Sequence, residues 1–512
     1  MGGTNRERPM SPVETRRAGR REWAGLAVIA LPCLLSTMDL EVLNLAVPQL
    51  TEDLRPSSTQ LLWIVDVYGF LIAGSLLTMG TLGDRIGRRR LLLIGATAFG
   101  LTSVLAAYST SAEMLIAARA LLGLAGATLA PSTLSLIRGM FEDPRQRTVA
   151  ISIWATSFSS GAAIGPVLGG VLLQYFWWGS VFLLAVPVMA LLLVLGPLLL
   201  PEHRDPAPGR LDIPSAALSL AAVLAVIYGL KRFAQNGPGW TGAASILAGI
   251  LLAVIFVRRQ HRLRDPLIDL RLFRVPAFSV SLAAFTLSLF AGFGMFFLIA
   301  QYLQLVLGLS PMRAGLWSLP SAAGLVAGSL LAPALVRRAR PAHVMAEGLV
   351  VAAAGFAVVA AAEGLAPVVA GSLVFSLGIA PVGTLATDLI VGTAPPERAG
   401  AASAISETGA ELGGALGIAV LGSIATATYR GTITIPSGVP AADAAAARDT
   451  LGGAVAIAAQ TPGRAGRALL DAARDAYTAG MTLTAIVSVA LCAVLAAVVV
   501  ITLRRVVVPE DQ

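Results

Sequence analysis

The stretch "GTLGDRIGRRRLLL" (80–93) sets three glycines, one aspartate and four arginines between two long apolar runs. Gly80, Gly83 and Gly87 permit tight turns and close helix approach, and Asp84 can pair with nearby arginines such as Arg85 and Arg88. Charge alone would make this a solvated basic loop. The ordered pattern G-x-L-x-D-R-x-G-R-R-R, joining two segments of spanning length, asks for more than that.

The flanking runs are representative of the whole chain. Of 512 residues, 56% are hydrophobic and 13% charged, and the mean hydropathy is +0.79. A soluble domain carries about 25% charged residues, so too little charge is present to cover a soluble surface. Apolar stretches of about twenty residues, broken by short polar loops, predict an all-α polytopic membrane protein. Runs such as "LLLVLGPLLL" (191–200) lack the alternation of a membrane β-strand. The arm Met1–Arg21 is polar and arginine-rich, and the run after it is of spanning length with no cleavage site. The first span is therefore expected to be retained. Cys33 and Cys492 lie in apolar runs and imply no disulfide framework. His203, His261 and His343 are scattered without ligand spacing, so no metal site is expected.

Fourteen spans are predicted, near 24–48, 60–82, 91–109, 113–137, 148–172, 178–200, 213–231, 240–258, 277–302, 313–335, 343–363, 366–391, 399–427 and 478–503. Arginine is concentrated in the N-terminal arm and in alternate loops: 84–90, 138–147, 258–274 and 337–343. The positive-inside rule places those loops and both termini in the cytoplasm. The same segregation makes the net charge of +8 a topology signal rather than a nucleic-acid footprint. Two linkers, 201–210 and 259–276, bracket a central pair of spans with few polar residues. The expected organisation is a cytoplasmic arm (1–23), a six-helix bundle (24–200), a linker with two extra spans (201–276), a second six-helix bundle (277–503) and a cytoplasmic tail (504–512). The second bundle would carry a long extracytoplasmic loop, 428–477, holding an amphipathic helix near Arg464–Asp475.

With these spans in place, the 80–93 stretch resembles the signature between spans 2 and 3 of the major facilitator superfamily. The resemblance runs along most of the chain. "LIAARALLGLAGA" (115–127) is similar to the family's span-4 motif and carries Arg119, with Leu122 where a glutamine is common. "GAAIGPVLGG" (161–170), with Gly161, Gly165, Pro166, Gly169 and Gly170, resembles the span-5 motif of drug:proton antiporters. "TMDLEVLNLAVP" (37–48) resembles the span-1 motif of the fourteen-span branch, with Glu41 in place of a threonine. Three further stretches, 62–74, 131–144 and 406–413, look most like quaternary-ammonium and antiseptic efflux pumps of the QacA and LfrA type. The resemblance implies two six-helix bundles plus two central helices, a span-5 face that slides during transport and limits proton leak, and efflux driven by the proton gradient.

The residues support such chemistry on their own terms. Glycines 161, 165 and 169 recur every fourth residue and line one helix face, where another backbone can approach. Arg119 lies deep in a span, where an unpaired cation costs at least a few kcal/mol. It must meet a polar interior or a carbonyl, in either a proton-coupling or a static helix-bonding role. Asp39 and Asp66 fall about 14 Å and about 9 Å inside the outer ends of spans 1 and 2. Glu407 and Glu411 share a face of span 13, and Asp388 lies low in span 12. Desolvation moves a carboxyl toward titration near neutral pH, and the ionised form attracts an organic cation. A group that holds either is the simplest exchanger. Glu41, two residues from Asp39, should point elsewhere. Tyr68, Trp154 and Phe158 could supply ring faces to a cation, whereas Trp63, Trp177 and Trp178 read as interface anchors. Span 10 has no acid where some pumps of this type carry one; Leu325 sits at that place.

The expectation is an inner-membrane multidrug efflux protein, a monomer exchanging protons for lipophilic cations across the lipid bilayer, with no enzymatic activity. No G-x-x-x-x-G-K-[ST] occurs, so no nucleotide or other cofactor is expected beyond the proton gradient. An exporter of a natural product made by the host stays open, since the arginine-rich, nearly lysine-free composition suggests a high-GC bacterium. A receptor or sensor would need a soluble signalling domain, which the sequence does not show.

Overall fold

The computed structural model describes residues 17–202, 212–236, 239–263, 266, 268, 270–393 and 399–503. The rest of the predicted arm and the tail 504–512 lie outside these residues, as do the side chains of Glu41, Asp84 and Phe158. The described residues are helical, with no strand among them. The first bundle comprises α1 (Arg20–Leu54), α2 (Ser58–Ile86), α3 (Arg88–Ala107), α4 (Ala112–Gly126), α5 (Leu129–Met140), α6 (Pro144–Tyr175), α7 (Ser180–Leu183) and α8 (Ala185–Leu199). A hairpin of α9 (Ile213–Asn236) and α10 (Trp240–Arg262) follows. The second bundle contains α11 (Pro276–Gln301), α12 (Pro311–Trp317), α13 (Leu319–Val336), α14 (Pro341–Ala360), α15 (Leu365–Gly392) and α16 (Ala399–Thr432). It ends with α17 (Ala441–Asp449), α18 (Leu451–Gln460) and α19 (Arg464–Leu503).

Three of the expected spans are broken helix pairs: α4 with α5, α7 with α8, and α12 with α13. Among the described residues, thirteen segments are long and apolar enough to cross a membrane. The 32-residue α6 supplies the remaining crossing by length. The chain is a multi-pass membrane protein. Start and stop signals are local. Ser57 accepts from the Gln60 amide while the Gln60 side chain accepts from the Ser57 amide, capping α2 at both ends of the exchange. Asp143 caps α6, where Pro144 occupies the first turn. Gly87 joins α2 to α3 at φ +110°, a turn that a side chain would strain.

Below, the near face is the side on which α1 begins and α19 ends; the far face is the opposite one. On the far face, the predicted loop 428–477 is mostly helix. α16 continues to Thr432, α17 and α18 form a short hairpin, and the predicted amphipathic helix at Arg464 is the first part of the 40-residue α19. The apolar face of that segment is continuous with the last span, so nothing in it forces a break.

The α9–α10 pair is anchored rather than peripheral. α9 packs on α2 from the first bundle and on α16 from the second, which themselves pack together. Phe70, Ile227, Ala415 and Ala419 form a buried apolar cluster where these three helices meet. At the near end of the pair, Arg259 donates to Asp212 at 2.9 Å and to Ser215 at 3.0 Å.

Candidate substrate cavity and its charged wall

Arg119 is completely buried on α4. It reaches Asp39 on α1 through Nη1, and its Nε donates to the Ile64 carbonyl of α2 at 3.2 Å. Its guanidinium lies 4.4 Å from the centre of the Tyr68 ring. The approach of α4 to α2 that permits this depends on Gly123, where a Cβ would stand 2.5 Å from the Tyr68 carbonyl. Removing one partner from such a buried pair costs about 3–5 kcal/mol, because the other charge is left unmatched. Asp39, expected to handle substrate or protons, borders a narrow gap inside the first bundle with Phe99, Val181 and Phe182. The Arg119 charge draws its side chain inward, away from the space between the bundles.

That space is a cavity of about 580 Å³, within the usual range for a small-molecule site. It is walled by mid-membrane residues of both bundles, including Asp66, Tyr68, Phe285, Phe293 and Glu411. It continues to Ser329, Thr387 and the exposed Asp388, which lies four residues from the near end of α15. On the far side the bundles close. A Cβ on Gly315 of α12 would fall 2.0 Å from the Pro166 carbonyl, and one on Gly170 would fall 2.8 Å from the Met312 Cα. The Gln304 amide donates to the Leu45 carbonyl at 3.0 Å. Arg430 donates to Ser58 at 2.9 Å and pairs with Asp449, which also accepts from the Ser58 amide at 2.8 Å. These contacts join the two bundles and the α17–α18 hairpin. Access is therefore from the near face.

The remaining predicted residues fall into distinct places. Of the span-13 acids, Glu411 lines the cavity and Glu407, one turn nearer the near face, does not border it. Gly161 and Gly169 face α1, where added Cβ atoms would lie 2.2 Å from the Leu34 carbonyl and 2.7 Å from a Val42 methyl. Gly165 and Pro166 are buried, and Gly170 faces α12 across the seam. Trp154 is not in the cavity wall; its indole donates to Thr133 at 3.0 Å. In the 80–90 motif, Arg88 is buried against Gly83 and lies 3.4 Å from the Pro131 carbonyl, Gly80 also faces Pro131, and Arg85 is exposed. Leu325 borders the cavity, so that wall is apolar.

Two tryptophans depart from the anchor reading. Trp178 is buried and donates to Asp53 at 2.9 Å. Trp63 turns inward, its ring 4.3 Å from the ammonium of Lys231 on α9. Nothing in the span pattern singles out Lys231. It is 1% exposed, lies 2.7 Å from the Asp66 carboxylate, and is the single lysine among 37 basic residues. That singularity, inside a span with few polar residues, was the available signal.

Comparison with known proteins agrees with this architecture. The sequence profile of the Major Facilitator Superfamily matches residues 29–418. The multidrug efflux pump LfrA of Mycolicibacterium smegmatis is 46% identical over 96% of this chain and 98% of its own. The methyl viologen resistance protein SmvA of Salmonella typhimurium is 37% identical over 89% of this chain and 93% of its own. Among solved structures, a bacterial homolog of the human lysosomal transporter Spinster, inward-facing and unoccupied, superposes with a TM-score of 0.67. It is 16% identical and covers 96% of this chain and all of its own. With its paired bundles and sequence match, this chain belongs to the major facilitator superfamily of membrane transporters.

Proposed function

We propose that the protein is a proton-driven multidrug efflux pump, exchanging protons for lipophilic organic cations such as quaternary ammonium compounds and dyes. The observation that carries this reading is the charge of the cavity. Among the described residues, its lining includes three acidic residues, Asp66, Glu411 and Asp388, and no cationic side chain, the buried Asp66 carboxylate being paired with Lys231 behind the wall. Apolar walls and the rings of Phe285 and Phe293 suit the body of such a cation. The efflux and resistance activities named for LfrA and SmvA support the same substrate class.

In this reading the near face is cytoplasmic, as the arginine-rich loops require, and the membrane is the bacterial cytoplasmic membrane. The structure is then the inward-open state, ready to load from the cytoplasm. A cation entering the cavity is held by the carboxylates at its wall, and the bundles rock to open the far side. Protonation of the same carboxyl groups from outside removes the attraction and releases the cargo. The Asp39–Arg119 pair sits behind Tyr68, where it links α1, α2 and α4 and positions that wall. The pump works as a monomer, without a cofactor. Everted vesicles loaded by a proton gradient test the proposal: ethidium accumulation should be abolished by a protonophore and by Asp66→Asn at wild-type membrane levels. Full gradient-driven accumulation by Asp66→Asn would overturn it.

A further inference from the structure

We propose that Lys231 is a built-in cation that occupies Asp66 when no cargo is bound, so that the α9–α10 pair takes part in the exchange. The inference rests on the cation-exchange reading of the cavity. Its own support is geometric. Lys231 lies five residues from the far end of α9, a place from which a lysine would ordinarily extend to the membrane surface. Here it is turned inward, 1% exposed, with its ammonium 2.7 Å from Asp66 and 4.3 Å from the Trp63 ring centre. Among the described residues, no other group hydrogen-bonds the ammonium or either carboxylate oxygen. The pair therefore holds one charge against one charge, with no supporting network to lock it.

An ammonium between a carboxylate and an aromatic face has the surroundings of a cationic ligand. Asp66 is a residue of the cavity wall, and its buried carboxylate meets Lys231. A cargo cation and Lys231 thus compete for one carboxylate. The residue type suits release: lysine is a compact charge on a flexible stem, whereas arginine would grip the carboxylate in a rigid fork. Because α9 packs on both α2 and α16, movement of Lys231 is felt at the junction of the two bundles.

The test measures tetraphenylphosphonium binding, with accompanying proton release, on purified full-length protein. Lys231→Met keeps the side-chain volume and removes the competitor. It should bind the cation at least about fivefold tighter, equivalent to roughly 1 kcal/mol. If a proton takes the vacated place instead, binding should release more protons than in wild type. Lys231→Arg should bind no tighter than wild type. In an Asp66→Asn background, Lys231→Met should have no further effect. A merely structural lysine would weaken binding in both single variants and again in the Asp66→Asn background, and that pattern would overturn the proposal. So would unchanged binding and proton release in Lys231→Met. If Asp66→Asn alone binds and transports as wild type does, the cation-exchange reading itself has failed.

Discussion

Gly315→Ala adds one methyl group at the far-side closure, and its cost can be worked from the structure. The new Cβ would lie 2.0 Å from the Pro166 carbonyl oxygen, a backbone atom in α6 that cannot rotate away. Contacts below about 3 Å are not tolerated, so α12 must retreat from α6 by at least about 1 Å, at an overpacking cost of about 1–3 kcal/mol. The gain in helix propensity from glycine to alanine, about 1 kcal/mol, applies to both conformations and cancels. The steric cost falls on the far-closed state alone, and shifts the balance toward far-open by about fivefold to 150-fold. Ser321 reports this. It is buried beneath the closure, in a small space shared with Asn44, Leu45, Pro166 and Leu303. With Cys33 and Cys492 replaced by alanine, Ser321→Cys should react slowly with an impermeant maleimide added outside cells. Gly315→Ala should raise that rate at least fivefold and reduce dye efflux. Unchanged labelling together with full efflux, at equal membrane levels, would refute the argument.

Two further outcomes follow from the ion pairs. Asp449→Ala leaves Arg430 and the Ser58 amide without their shared acceptor; losing about 1 kcal/mol of far-side closure should raise the same Ser321→Cys labelling about fivefold. Arg119→Gln and Asp39→Asn should each leave a buried partner unmatched, lowering thermal stability in detergent. The double variant should recover most of that stability while remaining inactive, and a double variant no more stable than either single would show that the two residues are not coupled.

Much of the fold was legible because membranes constrain helices severely. Apolar runs located the spans. The broken helices did leave a trace that a span pattern does not weigh: Pro131, Pro187 and Pro320 stand two or three residues past the breaks that open α5, α8 and α13. Continuity was hidden rather than helix: the amphipathic segment expected near Arg464–Asp475 runs without a break into the last span as α19. In the site, Asp66 and Glu411 line the cavity as their depth suggested. Asp39 differs because its direction is set by a partner 80 residues away, Arg119, which span patterns do not place. Lys231 differs for the same reason. Its importance lies in what it meets across α2, and the sequence records only that it is unique.

The central claim is that cavity carboxyl groups trade protons for a cation. It is tested most directly by adding tetraphenylphosphonium to purified protein in weakly buffered detergent near neutral pH and recording proton release alongside binding. The account predicts saturable release that tracks occupancy, reduced in Asp66→Asn and in Glu411→Gln, and absent when both are replaced. A doubly substituted protein that still binds the cation and releases protons as wild type does would contradict it.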